Sequence, residues 1–168
     1  IYEAVAKDKT AKPNTNAQKL RDFYNTAMDT VKADLLGAKP IMAQMAMIDK
    51  VKTLEQLMLL KAEFEYSGIT LFFGGGVGTD LKNSKRNLYQ FGQGGMGLGD
   101  RDYYYAEKFE KIRAAYVEYL KSLFELSGQT AEVAKASAET VFAFEKQLAD
   151  KALTRVQQRD VELQYNPY

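Results

Sequence analysis

The sequence has 168 residues, 46% of them apolar, which is enough for a packed core in one domain or two small ones. Its 23 Lys and Arg nearly balance 22 Asp and Glu, and a net charge of +1 gives no electrostatic reason to expect a nucleic acid or an acidic membrane as partner. Histidine and cysteine are both absent, which excludes Ser-His-Asp triads, Cys-His dyads, disulfides, iron–sulfur clusters and His- or Cys-ligated zinc within these residues.

Glycine punctuates the chain unevenly: ten of the 12 lie between Gly68 and Gly99. That pattern predicts helices, a glycine-rich centre, then helices. Leu20, Phe23, Tyr24, Ala27, Met28, Val31 and Leu35 recur at three- and four-residue steps, predicting one helix that ends at Gly37. Pro40 suits the first position of a short helix carrying Ile41, Met45 and Ile48. Thr53 with Gln56 reads as a capping box, followed by a stripe of Leu57, Leu60 and Phe64 and by Gly68 as a left-handed stop.

Residues 69–73 and 88–91 are rich in β-branched and aromatic side chains, and the polar residues 79–87 between them predict a two-stranded ribbon with a long turn. Asp100 or Asp102 can cap a helix bearing Phe109, Ile112, Tyr116, Leu120, Leu123 and Phe124, closed by Gly128. Thr130 then caps a last helix with Ala134, Ala138, Val141, Phe142 and Leu148, its stripe extending as far as Leu153. The fold class expected is mainly α: about five packed helices with a small antiparallel β-ribbon inserted over 69–99, residues 1–168 forming a single helical region.

The apolar runs at 57–60 and 69–73 are far shorter than the 18 or so residues a membrane span needs, so no span is expected. The chain opens at Ile1 without a secretory leader and reads as a piece of something longer. Missing cysteines fit a reducing cytosol and a disulfide-free extracytoplasmic protein equally.

Gly92-Gln93-Gly94-Gly95-Met96-Gly97 spells G-x-G-x-x-G, but no parallel strand follows, so a structural turn is preferred to a dinucleotide site. Gly74-Gly75-Gly76-Val77-Gly78 lacks the lysine of a phosphate loop and reads as flexible or tight-turning backbone. Lys82, Lys85 and Arg86 near Tyr89 and Phe91 read as a solvated turn, not a nucleic-acid patch. In Asp100-Arg101-Asp102-Tyr103-Tyr104-Tyr105 the acids are expected to cap and the tyrosines to pack with hydroxyls at a surface or interface. Glu145, one turn from Phe142 and Leu148, is expected to pair with an arginine such as Arg113 or Arg155.

The cluster resembles the N-terminal region of neprilysin-type zinc metallopeptidases, a family that includes endothelin-converting enzymes and bacterial relatives. The ordered match consists of Leu71-Phe72-Phe73, Val77 to Asp80, Lys82-Asn83-Ser84, Gln93, Gly97-Leu98 and Arg101-Asp102-Tyr103-Tyr104. Phe23-Tyr24 with Met28-Asp29 precede it, and Glu145 to Ala149, Arg159-Asp160 and Tyr165-Asn166 follow, over about residues 20–166. Gly99 departs from the pattern by standing where the family usually has proline, which is expected to loosen the turn.

The resemblance implies a helical region of the domain that covers a thermolysin-like catalytic domain and limits entry to oligopeptides. Its partners would be the C-terminal catalytic domain of the same chain and the peptide substrates, with zinc held by H-E-x-x-H and a further glutamate elsewhere in the parent. No catalytic or metal-binding residue carries over to this chain. The family-motif residues Asn83, Ser84, Gly97, Leu98, Arg101, Asp102, Tyr103, Tyr104, Glu145, Arg159, Tyr165 and Asn166 are assigned structural roles. The resemblance also leans toward an extracytoplasmic location in a bacterium, periplasmic or cell-surface. The rival reading is a free-standing helical module whose tyrosine-rich helix start contacts a protein partner.

Overall fold

A computed structural model describes residues 2–167. The chain divides into two compact units, the first ending at Ala43 and the second beginning at Gln44. The first contains α1 (Tyr2–Lys7), α2 (Asn16–Ala27) and α3 (Thr30–Leu36). The single predicted helix from Leu20 to Leu35 is therefore two. Met28 ends α2, and Asp29 starts α3 by accepting the Lys32 amide at 2.9 Å, a local bond that competes with helix continuation. The predicted apolar stripe is left uncovered, with Phe23, Val31 and Leu35 each at least 70% exposed.

Pro40 lies in a 3-10 turn, Lys39–Ile41, that leads into α4 (Met42–Asp49). In the second unit α5 (Leu54–Tyr66) begins with the predicted Thr53–Gln56 capping box. It ends in a Schellman motif: Ile69 N–H donates to Phe64 C=O and Gly68 N–H to Glu65 C=O, with Gly68 at φ +82°.

The ribbon is antiparallel as predicted but differently bounded. β1 (Phe73–Asp80) and β2 (Asn83–Gln93) pair from Phe73↔Gln93 to Thr79↔Asn87, and the register then shifts to Asp80↔Asn83. Residues 69–72 are not strand, because Phe72 takes a left-handed φ of +46° and turns the chain into β1; its ring packs edge-on against Phe144 at 6.2 Å. The expected long turn is a two-residue one, Leu81-Lys82, with Ser84–Arg86 bulged out of the ladder. The run Gly74–Gly78 is strand rather than loose loop. A methyl at Gly75 would lie 2.6 Å from the Tyr89 ring on the facing strand, so the missing side chains make room for cross-strand ones.

After the ribbon come α6 (Arg101–Tyr105), a 3-10 turn, α7 (Glu110–Leu126), α8 (Ala131–Lys151), a second such turn and α9 (Val161–Gln164). Ala106 adopts extended backbone and breaks the predicted continuous helix between α6 and α7. Thr130 caps α8 and Gly128 closes α7, as the sequence predicts, but α8 stops at Lys151, short of the expected Leu153, because Ala152 takes extended backbone. Ala134, Ala138 and Ala149 of α8 are fully buried, small enough to let α7 and α6 approach closely; Leu60, Phe64, Tyr104 and Leu120 complete the core. No helix among the described residues is long and apolar enough to cross a membrane.

Candidate functional site

One enclosed polar cluster lies where α6, α7 and α8 meet. Glu145 enters the core because it shares an α8 face with Phe142 and Ala149. Its pairing corrects the expectation of an arginine. The Tyr104 hydroxyl donates to Glu145 Oε2 at 2.6 Å and the Tyr116 hydroxyl to Oε1 at 2.9 Å. Phe142 sits between the two rings, 5.7 Å from Tyr104 and 6.5 Å from Tyr116. A buried carboxyl requires donors, and phenols meet that need while adding apolar contact that a guanidinium would not.

Tyr104 also corrects the expectation of surface hydroxyls: it is 2% exposed, and its oxygen accepts the Leu98 N–H at 3.2 Å. Burial first, and then the bond to the Glu145 carboxylate, push both the Tyr104 and Tyr116 phenols well above the usual tyrosine range. Gly97 completes the node. A methyl there would overlap the Tyr116 hydroxyl and come 3.2 Å from Glu145 Oε1. The next glycine, Gly99, has φ +75° and donates its N–H to Met96 C=O at 2.9 Å, so this turn is closed by a hydrogen bond instead of loosened.

The two arginines go elsewhere. Arg113 donates to the carbonyls of Tyr103 and Ala106 at 2.9 and 2.8 Å, bracing the break between α6 and α7. Arg155 pairs with Asp100, whose carboxylate also caps α6 by accepting the Asp102 N–H at 2.9 Å. The Asp102 amide and then Arg155 hold the Asp100 carboxyl below the usual range. Tyr103 stacks on Phe109 at 4.3 Å, Arg101 lies 5.2 Å from the Tyr105 ring, and the Tyr105 hydroxyl donates to Lys146 C=O.

A second polar cluster ties the exit of the chain to the ribbon turn. Asp80, 2% exposed, accepts the Lys82 N–H at 2.9 Å, the Arg86 guanidinium at 3.0 and 2.5 Å, and the Tyr165 hydroxyl at 3.4 Å. The Lys82 amide and then Arg86 keep its carboxyl below the usual range. The Lys82 ammonium pairs with Glu162 and lies 4.8 Å from the Tyr165 ring. Lys82, Lys85 and Arg86 are exposed, as a solvated turn implies, and Arg86 and Lys82 in addition pair with Asp80 and Glu162. Asn83 accepts the Lys85 amide, Asn166 donates to Leu163 C=O, and Ser84 and Arg159 are exposed. Gln93, at the end of β2, makes a paired amide contact with Leu153, donating to its C=O at 3.1 Å and accepting its N–H at 2.8 Å.

The sequence singles out Tyr104 and Glu145 separately, and reads Tyr116 as a stripe residue, Arg86 as part of a solvated turn and Asp80 and Gln93 as motif positions, without showing the Tyr104–Glu145–Tyr116, Asp80–Arg86 and Gln93–Leu153 contacts. The signal for Tyr116 is its place on the apolar stripe of α7, where a hydroxyl needs an acceptor across the helix pair. The G-x-G-x-x-G run begins in β2, an antiparallel strand, and no parallel unit accompanies it among the described residues. No group of three or more His, Cys, Asp or Glu able to hold a metal is gathered among the described residues. The buried acids Glu145, Asp80 and Asp100 each accept donors from the chain itself, so the arrangement ties segments together.

Comparison with known proteins agrees with this framework. Residues 1–168 match the profile of Peptidase family M13. Bovine endothelin-converting enzyme 1 is 28% identical over 177 residues, covering 99% of this chain and 23% of that enzyme. Neprilysin-1 of Caenorhabditis elegans is 30% identical over 186 residues, covering 99% and 24%. Among solved structures, the Mycobacterium tuberculosis zinc metalloprotease Zmp1 in complex with inhibitor is 30% identical, with a TM-score of 0.78 over 98% of this chain and 25% of that one. The chain spans about a quarter of the length of the relatives it matches. With a family profile matched from end to end and a shared fold, this chain belongs to peptidase family M13.

Proposed function

We propose that this chain is the N-terminal helical region of a zinc metalloendopeptidase that hydrolyses oligopeptides. It acts as a wall restricting access to a catalytic centre built by residues outside it. The observation that carries the reading is the condition of the buried acids. Glu145, Asp80 and Asp100 each accept donors from the chain itself, and there is no imidazole or thiolate to join them. Among the described residues no group of side chains is gathered that fits a zinc ion, so metal and water activation come from the C-terminal part of the parent. The motif residues from Asn83 to Asn166 then serve as a frame holding ribbon, helices and exit segment in one register. By the same family likeness, the parent works outside the bacterial cytoplasm.

The parent reading frame is expected to encode H-E-x-x-H beyond these residues. Purified parent should cleave a short unstructured peptide much faster than the same sequence within a folded protein, and a chelator should stop both reactions. Equal rates would remove the access-restricting role. Chelator-sensitive cleavage by the 168-residue chain alone would remove the division of labour.

A further inference from the structure

The chain exposes 13125 Å² of accessible surface. A compact monomer of its 18.9 kDa mass exposes about 8,300 Å², and even two separate compact bodies divided after Ala43 would expose only about 9,800 Å² together. A large area is left for something else to cover, and α7 shows where one such cover sits.

Helix α7 has three sides. Tyr116, Leu120 and Phe124 lie on the side that packs on α8, while Glu110, Glu118, Lys121 and Glu125 form a polar side. Between them runs a second apolar arc of Ile112, Tyr119, Leu123 and Leu126, which are 42%, 56%, 44% and 76% exposed. A helix facing water on its remaining circumference would carry charge there; one apolar on two sides is built to be covered twice. Ile112, Tyr119 and Leu126 recur at seven-residue intervals, the spacing that keeps contact with another helix crossing at about 20°.

We propose that this arc seats a helix supplied by the absent three quarters of the same polypeptide, lying along α7 with an apolar stripe of its own. The inference rests on the reading of a longer parent. The alternative occupant, a second copy, is poorly matched by size. The arc is about 21 Å long and one helix wide, well under the roughly 800 Å² per partner of a stable association. A segment of the same chain needs no such area, because tethering supplies its effective concentration.

The test uses the intact parent carrying Tyr119→Cys or, one residue away on the polar side, Glu118→Cys. Reaction with a maleimide is timed against the parent lacking the introduced thiol. The thiol of Tyr119→Cys is expected to react at least about tenfold more slowly than that of Glu118→Cys, access controlling the rate, with the two equal in urea. Equal rates in the folded parent overturn the proposal. Protection that fades on dilution assigns the arc to a second copy and overturns it as well. Should Tyr119→Cys fail to fold, Leu123→Cys on the same arc is read in the same way. Peptide hydrolysis is assayed separately; an inactive parent overturns the functional reading without altering the labelling comparison.

Discussion

Tyr116 on α7 and Glu145 on α8 meet through a 2.9 Å hydrogen bond across the helix pair, and the other Glu145 oxygen takes the Tyr104 hydroxyl of α6. One carboxylate therefore fixes three helices, and through the Leu98 amide bound by Tyr104 it also fixes the glycine-rich turn. Satisfied networks of this kind specify a unique packing, whereas partly satisfied ones are costly.

Removing one member of the node should expose that asymmetry. Tyr104→Phe leaves both Glu145 Oε2 and the Leu98 N–H without a partner and should cost about 2–3 kcal/mol, whereas Tyr116→Phe strands a single acceptor and should cost about 1–1.5 kcal/mol. Equilibrium urea unfolding of the two variants, with the double variant to close the cycle, measures the difference. Equal costs would mean that the Leu98 contact contributes nothing.

The same node predicts an alkaline transition. Tyr104 and Tyr116 have folded-state pKa values raised above the unfolded value near 10, chiefly by burial. Such groups stabilise fully below about pH 10, and the contribution is lost as pH rises through the folded value, because the unfolded chain ionises first. Stability should therefore decline above about pH 10 more steeply in the unmodified chain than in Tyr104→Phe, read as the urea midpoint at successive pH values. Parallel declines would place the alkaline sensitivity in other groups.

Gly97 is a matter of space. An added methyl would occupy the position of the Tyr116 hydroxyl, with the ring carbon bearing it 2.8 Å away. Gly97→Ala should destabilise by about 2–3 kcal/mol. Adding Tyr116→Phe should recover only part of that, since the ring carbon stays too close. Full additivity of the two substitutions would show that they do not share this contact.

Elements governed by local chemistry were legible in the sequence. The Thr53 and Thr130 caps and the Gly68 and Gly128 stops depend on a few neighbouring residues, and all four are present. What misled was competition between local and distant effects. The stripe from Leu20 to Leu35 keeps helical periodicity across Asp29, yet the Asp29 side chain starts a new helix. The glycines of β1 read locally as turn formers because their reason for being small, Tyr89 and Gln90 on the facing strand, lies 12 or more residues away. Glu145 was readable as a buried acid from its apolar neighbours, but its donors come from two other helices, and nothing local distinguishes a phenol from a guanidinium as partner.

Asp100 has two duties that acid and mutation can separate. Its folded-state carboxyl is held below the usual range, first by the Asp102 amide and then by Arg155. A lowered folded value means stability present above about pH 4 and lost as pH falls through the folded pKa. Asp100→Ala removes the α6 cap and should cost about 1 kcal/mol near neutrality. Arg155→Ala should shift the urea midpoint much less, because Arg155 is 71% exposed and solvent screens the pair. A larger effect from Arg155→Ala would make the ion pair, and not the cap, the main role of Asp100.

Gly99 stands where the family resemblance leads to an expectation of proline. Proline holds φ near −65° and has no N–H, whereas Gly99 sits at φ +75° and donates to Met96 C=O. Both properties of the turn would be lost, and the turn delivers Asp100 to the start of α6 and follows directly on Leu98, whose amide Tyr104 holds. Gly99→Pro should therefore destabilise this chain by about 3 kcal/mol. Gly99→Ala, which keeps the N–H and meets open space, should cost only about 1–2 kcal/mol for the left-handed backbone. Urea midpoints rank the two. If Gly99→Pro proved as stable as the unmodified chain, residues 96–100 would have to adopt a different turn that still presents Leu98 and Asp100 to the same partners.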